Sequence, residues 1–156
     1  MIVRIAVMSA LLVLLGPFGC GGDSGGGGGT HLTWQVDGTS VTALGGRASW
    51  SSTAGRDSIA ITGFASSGED ISIGISNDAP LMPQTFDCAQ PTGNQSVSVS
   101  SAADAGVFAA QSCTVTLSQV GAVGGTPTIG TFAATLTSAA SGNKAITNGS
   151  FNLPLM

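Results

Sequence analysis

The sequence predicts an all-β protein, an antiparallel β-sandwich or flattened barrel of about nine strands. Short runs in which apolar residues alternate with serine, threonine or glycine recur along residues 31–156, as expected for strands with one buried face. Glycine, asparagine, aspartate and proline separate these runs. No segment after residue 30 shows the periodicity of a helix. The pattern leaves both the sandwich and the barrel open.

The first two runs are typical of a β-hairpin. Alternation in residues 32–36 places three side chains on one face, namely Leu32, Trp34 and Val36. Asp37-Gly38 follows, and this pair favours a type I′ turn because both central positions require positive φ. Residues 39–43 then form the returning strand, and residues 47–53 are a separate strand candidate.

A second hairpin is predicted from residues 58–65 and 70–76. Ile59 and Ile61 point to one side in the first of these runs. Phe64 has the opposite parity, so we expect a β-bulge at Gly63. The second run alternates without interruption, and its inward residues are Ile71, Ile73 and Ile75.

Five further strands are predicted in the second half of the chain, at residues 84–88, 95–101, 107–120, 130–138 and 144–155. A turn is expected at residues 91–94 and a glycine-rich loop at residues 121–127. In the last run Ile146 and Phe151 have opposite parity, which favours a bulge at Asn148-Gly149, with a tight hairpin as the alternative. Pro154 indicates that this strand stops there or lies at an edge, because proline has no amide to donate to a ladder.

Residues 1–19 have the layout of a secretory signal peptide. Arg4 precedes an apolar stretch, residues 5–15, which is shorter than the roughly 20 residues of a membrane-spanning helix. Gly19-Cys20 follows and resembles a bacterial lipobox, in which the cysteine is lipidated with acyl chains and becomes the mature N-terminus. Cys20 is therefore the predicted lipidation site. The alternative is an ordinary secreted protein with a free Cys20.

Residues 20–30 are predicted to be the lipidated cysteine and a glycine-rich tether, and residues 31–156 the folded domain. The tether contains GDSGG, the string around the nucleophilic serine of trypsin-like proteases. In those proteases the serine follows the histidine and aspartate of the triad, whereas Ser24 precedes His31, the only histidine. A glycine-rich chain also cannot hold a nucleophile in position. We therefore predict a flexible leash and no catalytic residue.

Composition and charge exclude several classes of function. Charged residues make up 8% of the chain, against about 25% in typical domains. After Cys20 there are eight acids and three bases, a formal charge of −5, with no cluster of lysine or arginine. We therefore expect no nucleic-acid partner. One histidine, and cysteines without metal-ligand spacing, predict no metal site, and no motif indicates a cofactor.

Two arrangements of side chains would carry chemistry or binding. Asp57 and Asp70 would form a glycosidase-like pair if their loops meet; otherwise both are turn residues that bond local backbone amides. Trp34 and Trp50 would stack on sugars if they were exposed, but their strand positions favour the core.

A disulfide bond is predicted between Cys88 and Cys113. Cys88 shares a face with Phe86, and Cys113 shares one with Val115, so both side chains are expected to point inward. Export exposes the pair to an oxidising compartment, where disulfides persist. The alternative is two buried free thiols.

Five ordered segments, WQVDG, IAITG, ISIGI, GTFAATL and AITNGSF, resemble a family of small Gram-negative lipoprotein domains of unknown function. The resemblance covers residues 32–155. It implies a single β-rich domain on a lipid tether in the cell envelope. The shared motifs are turn and core residues, and the family supplies no catalytic residue to transfer.

Together these features predict a membrane-tethered lipoprotein, periplasmic or surface-exposed, that is a non-enzymatic binding or structural module. Gly21 rather than aspartate follows Cys20, which favours the outer membrane. The lipid anchor is the membrane contact, and an envelope glycan or protein is the candidate partner. The alternative is an envelope polysaccharide hydrolase. A cleft with two carboxylates within about 5–10 Å would favour the hydrolase, and a filled core with shallow grooves would favour the module.

Overall fold

The computed structural model describes residues 29–90, 95–103 and 106–156. Cys20, Ser24 and the turn expected at residues 91–94 lie outside these ranges. The described ranges contain nine strands, β1 His31–Val36, β2 Thr39–Thr53, β3 Arg56–Ala65, β4 Asp70–Asp78, β5 Gln84–Asp87, β6 Ser96–Ala103, β7 Gly106–Gln119, β8 Thr128–Ser138 and β9 Gly142–Leu153. The described residues contain no helix, and hence none that is long and apolar enough to cross a membrane.

All nine strands belong to one antiparallel sheet, which closes into a barrel. Eight of them form the ring in the order β1-β2-β3-β4-β6-β7-β8-β9, and β9 pairs back with β1. The ninth strand, β5, pairs with β7 beyond the segment that β6 reaches. The all-β fold and the strand number are therefore confirmed, and the sheet forms a barrel rather than a sandwich.

The two ends of the barrel differ. The hairpin end carries the β1–β2, β3–β4 and β8–β9 connections, and the loop end carries the β2–β3, β4–β5 and β7–β8 connections. Residues 154–156 also lie at the loop end, after β9. Leu155 is buried there and bridges Ala48 of β2 and Val123 of the β7–β8 loop. These last residues therefore cover part of the loop end.

Side chains from every strand fill the barrel interior, among them Leu32, Ala48, Ile59, Ile73, Phe86, Val99, Val115, Leu136 and Ile146. Inward glycines make room for the aromatic rings. A Cβ atom at Gly130 would clash with the carbonyl oxygen of Thr116 and would lie 2.5 Å from the Phe151 ring. A Cβ atom at Gly149 would lie 2.7 Å from the Phe132 ring. Large and small residues thus complement each other, as in other small barrels with packed interiors.

Two predictions for the first half of the chain were wrong. Residues 47–53 are not a separate strand, because β2 continues from Thr39 to Thr53. The bulge expected at Gly63 lies instead in β2, where the register shifts between Ala43 and Gly45. The extra residue of the bulge shifts the alternation by one position. Val41 before the bulge and Ala48 after it therefore both point inward, and one long strand replaces the two short ones.

Phe64 explains why the bulge was misplaced. Gly63 is buried in step with the isoleucines of β3, so β3 keeps its alternation. Phe64 points outward and is 54% exposed. Its ring lies over Gly45, where a Cβ atom would be 3.3 Å from the ring. The parity break in the sequence therefore marks an aromatic residue on the outer face.

Three other local predictions are confirmed. Asp37 and Gly38 have φ values of 48° and 84°, as a type I′ turn requires. Asn148 has a φ of 50°, and β9 changes register near it against both β1 and β8. The strand ends at Leu153, directly before Pro154.

Candidate functional site

Cys88 and Cys113 form a disulfide bond, which confirms the predicted pairing. Their Cα atoms are 5.0 Å apart, and the Cys88 amide donates to the Cys113 carbonyl oxygen at 2.9 Å. Asp87 pairs with Thr114, so the bond lies one rung further along the same ladder. It therefore ties the end of β5, the shortest strand, to the barrel wall.

A partly buried ion pair lies at the hairpin end of the barrel. Lys144 Nζ is 2.8 Å and 3.0 Å from the two carboxylate oxygens of Glu69, and 4.3 Å from the centre of the Phe108 ring. The Ser101 hydroxyl donates to Glu69 at 3.1 Å. The side chains of Lys144 and Glu69 are only 10% and 18% exposed. Because these four residues come from four different parts of the barrel, the cluster holds the hairpin end together.

This cluster was not predicted, although the sequence contains a signal for it. Lys144 has the same parity as Ile146, a residue predicted and found to be buried. A lysine that points inward needs an anionic partner, and Glu69 is the only glutamate in the chain.

Replacing Lys144 with methionine is expected to destabilise the protein by about 2 kcal/mol, because the Glu69 carboxylate is left largely buried without its cation. This value is below that of a fully buried pair, since both side chains keep some solvent contact. Urea unfolding of the purified variant measures the change. The double variant Lys144→Met with Glu69→Leu is the control, and it should recover most of the loss. A single variant as stable as the wild type would contradict the assigned role.

Asp57 and Asp70 do not form a catalytic pair. Along the β3–β4 ladder Asp57 pairs with Asn77, whereas Asp70 pairs with Phe64. Seven residues of β4 separate these rungs, about 23 Å at the rise of a strand. Glycosidase carboxylates lie about 5–10 Å apart. The predicted alternative of an Asp57–Asp70 pair is therefore excluded by their positions.

Asp57 has a structural role that differs from the predicted one. Its side chain is buried, and its Oδ2 accepts a hydrogen bond from the backbone amide of Leu81 at 3.0 Å. Leu81 lies in the β4–β5 loop, so the bonded amide is distant in sequence rather than local. The carboxylate fixes this loop against the start of β3.

The other candidate residues bring no further chemistry together. His31 is exposed, and its Nδ1 lies 3.0 Å from the carbonyl oxygen of Gly29. Within the described ranges, no three histidine, cysteine, aspartate or glutamate side chains are grouped as a metal site would require.

The two tryptophans lie at inward positions. Trp34 is 1% exposed, and its Nε1 has no hydrogen-bond partner among the described residues. Trp50 is partly buried and packs against the core. The prediction of core positions is confirmed for Trp34, which excludes it as a surface platform for sugars.

The outer wall of β2, β3, β4 and β6 bears very small side chains. Eight outward positions in two adjacent rows are Ser49, Ser51, Ser58, Ala60, Gly74, Ser76, Ser96 and Ser98. They line a groove of about 260 Å³, which we call the serine groove. The Arg56 side chain donates to Ser76 Oγ at 3.0 Å, and Ser76 Oγ is 2.9 Å from Ser96 Oγ. None of the residues that line the serine groove is ionisable.

A second set of hydroxyl groups crosses six strands of the opposite wall. The paired positions are Thr42, Thr33, Ser150, Thr131, Thr116 and Thr85. Thr33 and Ser150 share a hydrogen bond of 3.0 Å, and Thr85 and Thr116 share one of 2.9 Å. These surfaces can donate and accept hydrogen bonds with neutral polar groups, but they offer no general acid or base.

Comparison with protein-family models, with curated proteins and with solved structures finds no match to this chain. Its function is therefore inferred from its own residues and their geometry.

Proposed function

We propose that this protein is a lipid-anchored lipoprotein of the bacterial cell envelope whose barrel is a non-enzymatic binding or structural module. The observation that carries the proposal is the order of segments: a signal-like stretch, Gly19-Cys20, a glycine-rich leash and then a domain. We also propose membership in the family of small Gram-negative lipoprotein domains that the sequence resembles. Gly21 after Cys20 favours the outer membrane as the site of anchoring.

The geometry of the barrel supports a module rather than an enzyme. The interior is packed with apolar side chains, and the serine groove and the other grooves lie on the outer wall. The carboxylates of Glu69 and Asp57 are bonded within the domain. Neutral hydroxyl surfaces of this kind suit a polar, uncharged partner such as an envelope glycan.

The composition and length of the segment before β1 suit a leash for an anchored domain. The first strand begins at His31, and the nine residues 21–29 include seven glycines. A glycine-rich chain of this length spans about 15–18 Å. Several acyl chains on one cysteine would anchor the protein stably, because a single chain binds a bilayer only marginally.

Replacing Cys20 with alanine is expected to abolish acylation and to release the protein from the membrane fraction. The reason is that the thiol is the predicted attachment point for the lipid. Metabolic labelling with an alkyne fatty acid, followed by membrane fractionation, measures both effects. Labelling should fall to background, and most of the protein should move to the soluble fraction.

Ser24→Ala is the matched control, because it changes the same leash without touching the proposed attachment point. It should label and fractionate like the wild type. A Cys20→Ala protein that remains acylated and membrane-bound would overturn the proposal.

A further inference from the structure

An exposed apolar area lies on the outer wall beside the bulge of β2. Leu44 and Phe64 are 73% and 54% exposed, and they are neighbours because Gly45 pairs with Phe64. A contiguous exposed apolar patch with a polar rim often marks an interaction site. We call the area formed by Leu44, Arg47, Phe64 and Asp70 the Phe64 patch.

Two opposite charges flank the aromatic ring of the patch. Arg47 pairs with Thr62 on one side of β3, and Asp70 pairs with Phe64 on the other. Both side chains are exposed, and neither has an ionic or hydrogen-bond partner in the part of the chain that the structure describes. Two strand spacings and two residues along a strand separate their Cα atoms by about 12 Å, and the two side chains form no ion pair with each other.

The arrangement of these charges is complementary to itself. Arg47 lies on β2 and Asp70 on β4, so the midpoint between them falls on β3, between Thr62 and Phe64. A two-fold axis can pass through this midpoint in the plane of contact, perpendicular to the line from Arg47 to Asp70. Such an axis would place each Arg47 opposite the partner's Asp70. Phe64 and Leu44 lie close to the same axis, so each would meet its own copy. Contacts of this reciprocal kind define an isologous interface.

We propose that the Phe64 patch is the surface through which two copies of this chain associate. The apolar contacts of Leu44 and Phe64 exclude water, and the two Arg47–Asp70 pairs fix the orientation. This inference goes beyond the proposed function and does not depend on the lipidation of Cys20. Anchoring in one membrane would strengthen the association, because it raises the effective concentration of the partner.

A second copy fits the patch better than a lipid surface does. A bilayer would bury the exposed Asp70 carboxylate without a cation, which is costly. A second copy supplies that cation, since its own Arg47 is free to meet Asp70. Because the patch carries one positive and one negative group, both charges can be paired with those of a second copy.

Sedimentation of the full-length protein in a mild non-ionic detergent tests the proposal. The wild type should sediment as a dimer that dissociates on dilution. Phe64→Ser and Asp70→Arg should each raise the dissociation constant by about tenfold or more. Met82→Ser is the matched control, because Met82 is 58% exposed but lies in the β4–β5 loop, at the other end of the barrel.

Charge reversal distinguishes a specific dimer from nonspecific hydrophobic association. Arg47→Asp and Asp70→Arg should each be monomeric alone, because each creates two like-charge contacts. An equimolar mixture of the two variants should form a heterodimer, in which both contacts are again between opposite charges. The double variant with both changes should regain the wild-type dissociation constant within about threefold.

Cysteine crosslinking in intact cells provides an independent measurement. Thr62→Cys places a thiol beside the axis and should give a disulfide-linked dimer, whereas Thr131→Cys, an exposed position on the opposite wall, should not. The proposal is overturned by a wild type that stays monomeric at every concentration. It is equally overturned if Met82→Ser weakens the dimer as much as Phe64→Ser, or if the mixed charge variants remain monomeric.

Discussion

Replacing Gly130 with alanine is expected to lower the free energy of unfolding by about 3 kcal/mol. The added methyl group would clash with the Thr116 carbonyl oxygen of β7 and press on the Phe151 ring. Neither neighbour can move freely, because one is the backbone of a paired strand and the other is a fully buried ring. Urea unfolding followed by tryptophan fluorescence measures the loss, and thermal melting should fall by about 10 °C.

Gly125→Ala is the matched control for this substitution. Gly125 lies in the β7–β8 loop. A Cβ atom added there would have the Ala122 Cβ, 3.4 Å away, as its nearest neighbour. The same chemical change there should alter stability by no more than about 0.5 kcal/mol. Equal effects at both positions would show that the barrel interior does not require a glycine at residue 130.

Removing the disulfide through the double change Cys88→Ala and Cys113→Ala is expected to destabilise the protein by about 3 kcal/mol. The bond joins residues separated by 25 positions, and closing a loop of this length restricts the unfolded chain by roughly that amount. The loss should appear first around β5, since only four residues pair this strand with β7. Hydrogen exchange at β5, together with urea unfolding, measures both effects.

Thr85→Ala serves as the comparison for the disulfide variant. It removes an exposed contact, the hydrogen bond to Thr116, from the same pair of strands. The expected change is about 0.5 kcal/mol. A cysteine-free variant as stable as Thr85→Ala would refute the stabilising role assigned to the bond.

The sequence predicted most of the local structure of the barrel. Alternation identified the inward residues of β4. Asp37-Gly38 identified the turn between β1 and β2, because only certain residues readily adopt positive φ. The pairing of Cys88 with Cys113 followed from parity and from the small number of cysteines. These features depend on residues close in sequence or on a short list of alternatives.

Long-range features were not predictable in the same way. Closure of the sheet depends on β1 meeting β9 and β7 meeting β8 in a common ring, and no local pattern specifies those partners. Phe64 was interpreted as an inward residue because it is aromatic, although its parity places it outside. The Glu69–Lys144 pair joins residues 75 positions apart, so alternation reveals the inward lysine but not its partner.

At the candidate site, the positions of individual residues could be predicted from the sequence, but the way in which they are grouped in space could not. The core position of Trp34 followed from its parity. The separation of Asp57 and Asp70 required the strand register, because both follow turns that look alike in sequence. The serine groove was not predicted, since it arises only when four outward-facing strands lie side by side.

The pairing of the first strand with the last has a consequence for the timing of folding. Leu32 sits opposite Phe151, so the ring cannot be completed before residues 142–153 are available. Such non-local pairing slows folding, because the entropy of a long loop is lost before the contact forms. During synthesis from the N-terminus, the ring therefore stays open until the residues of β9 have emerged.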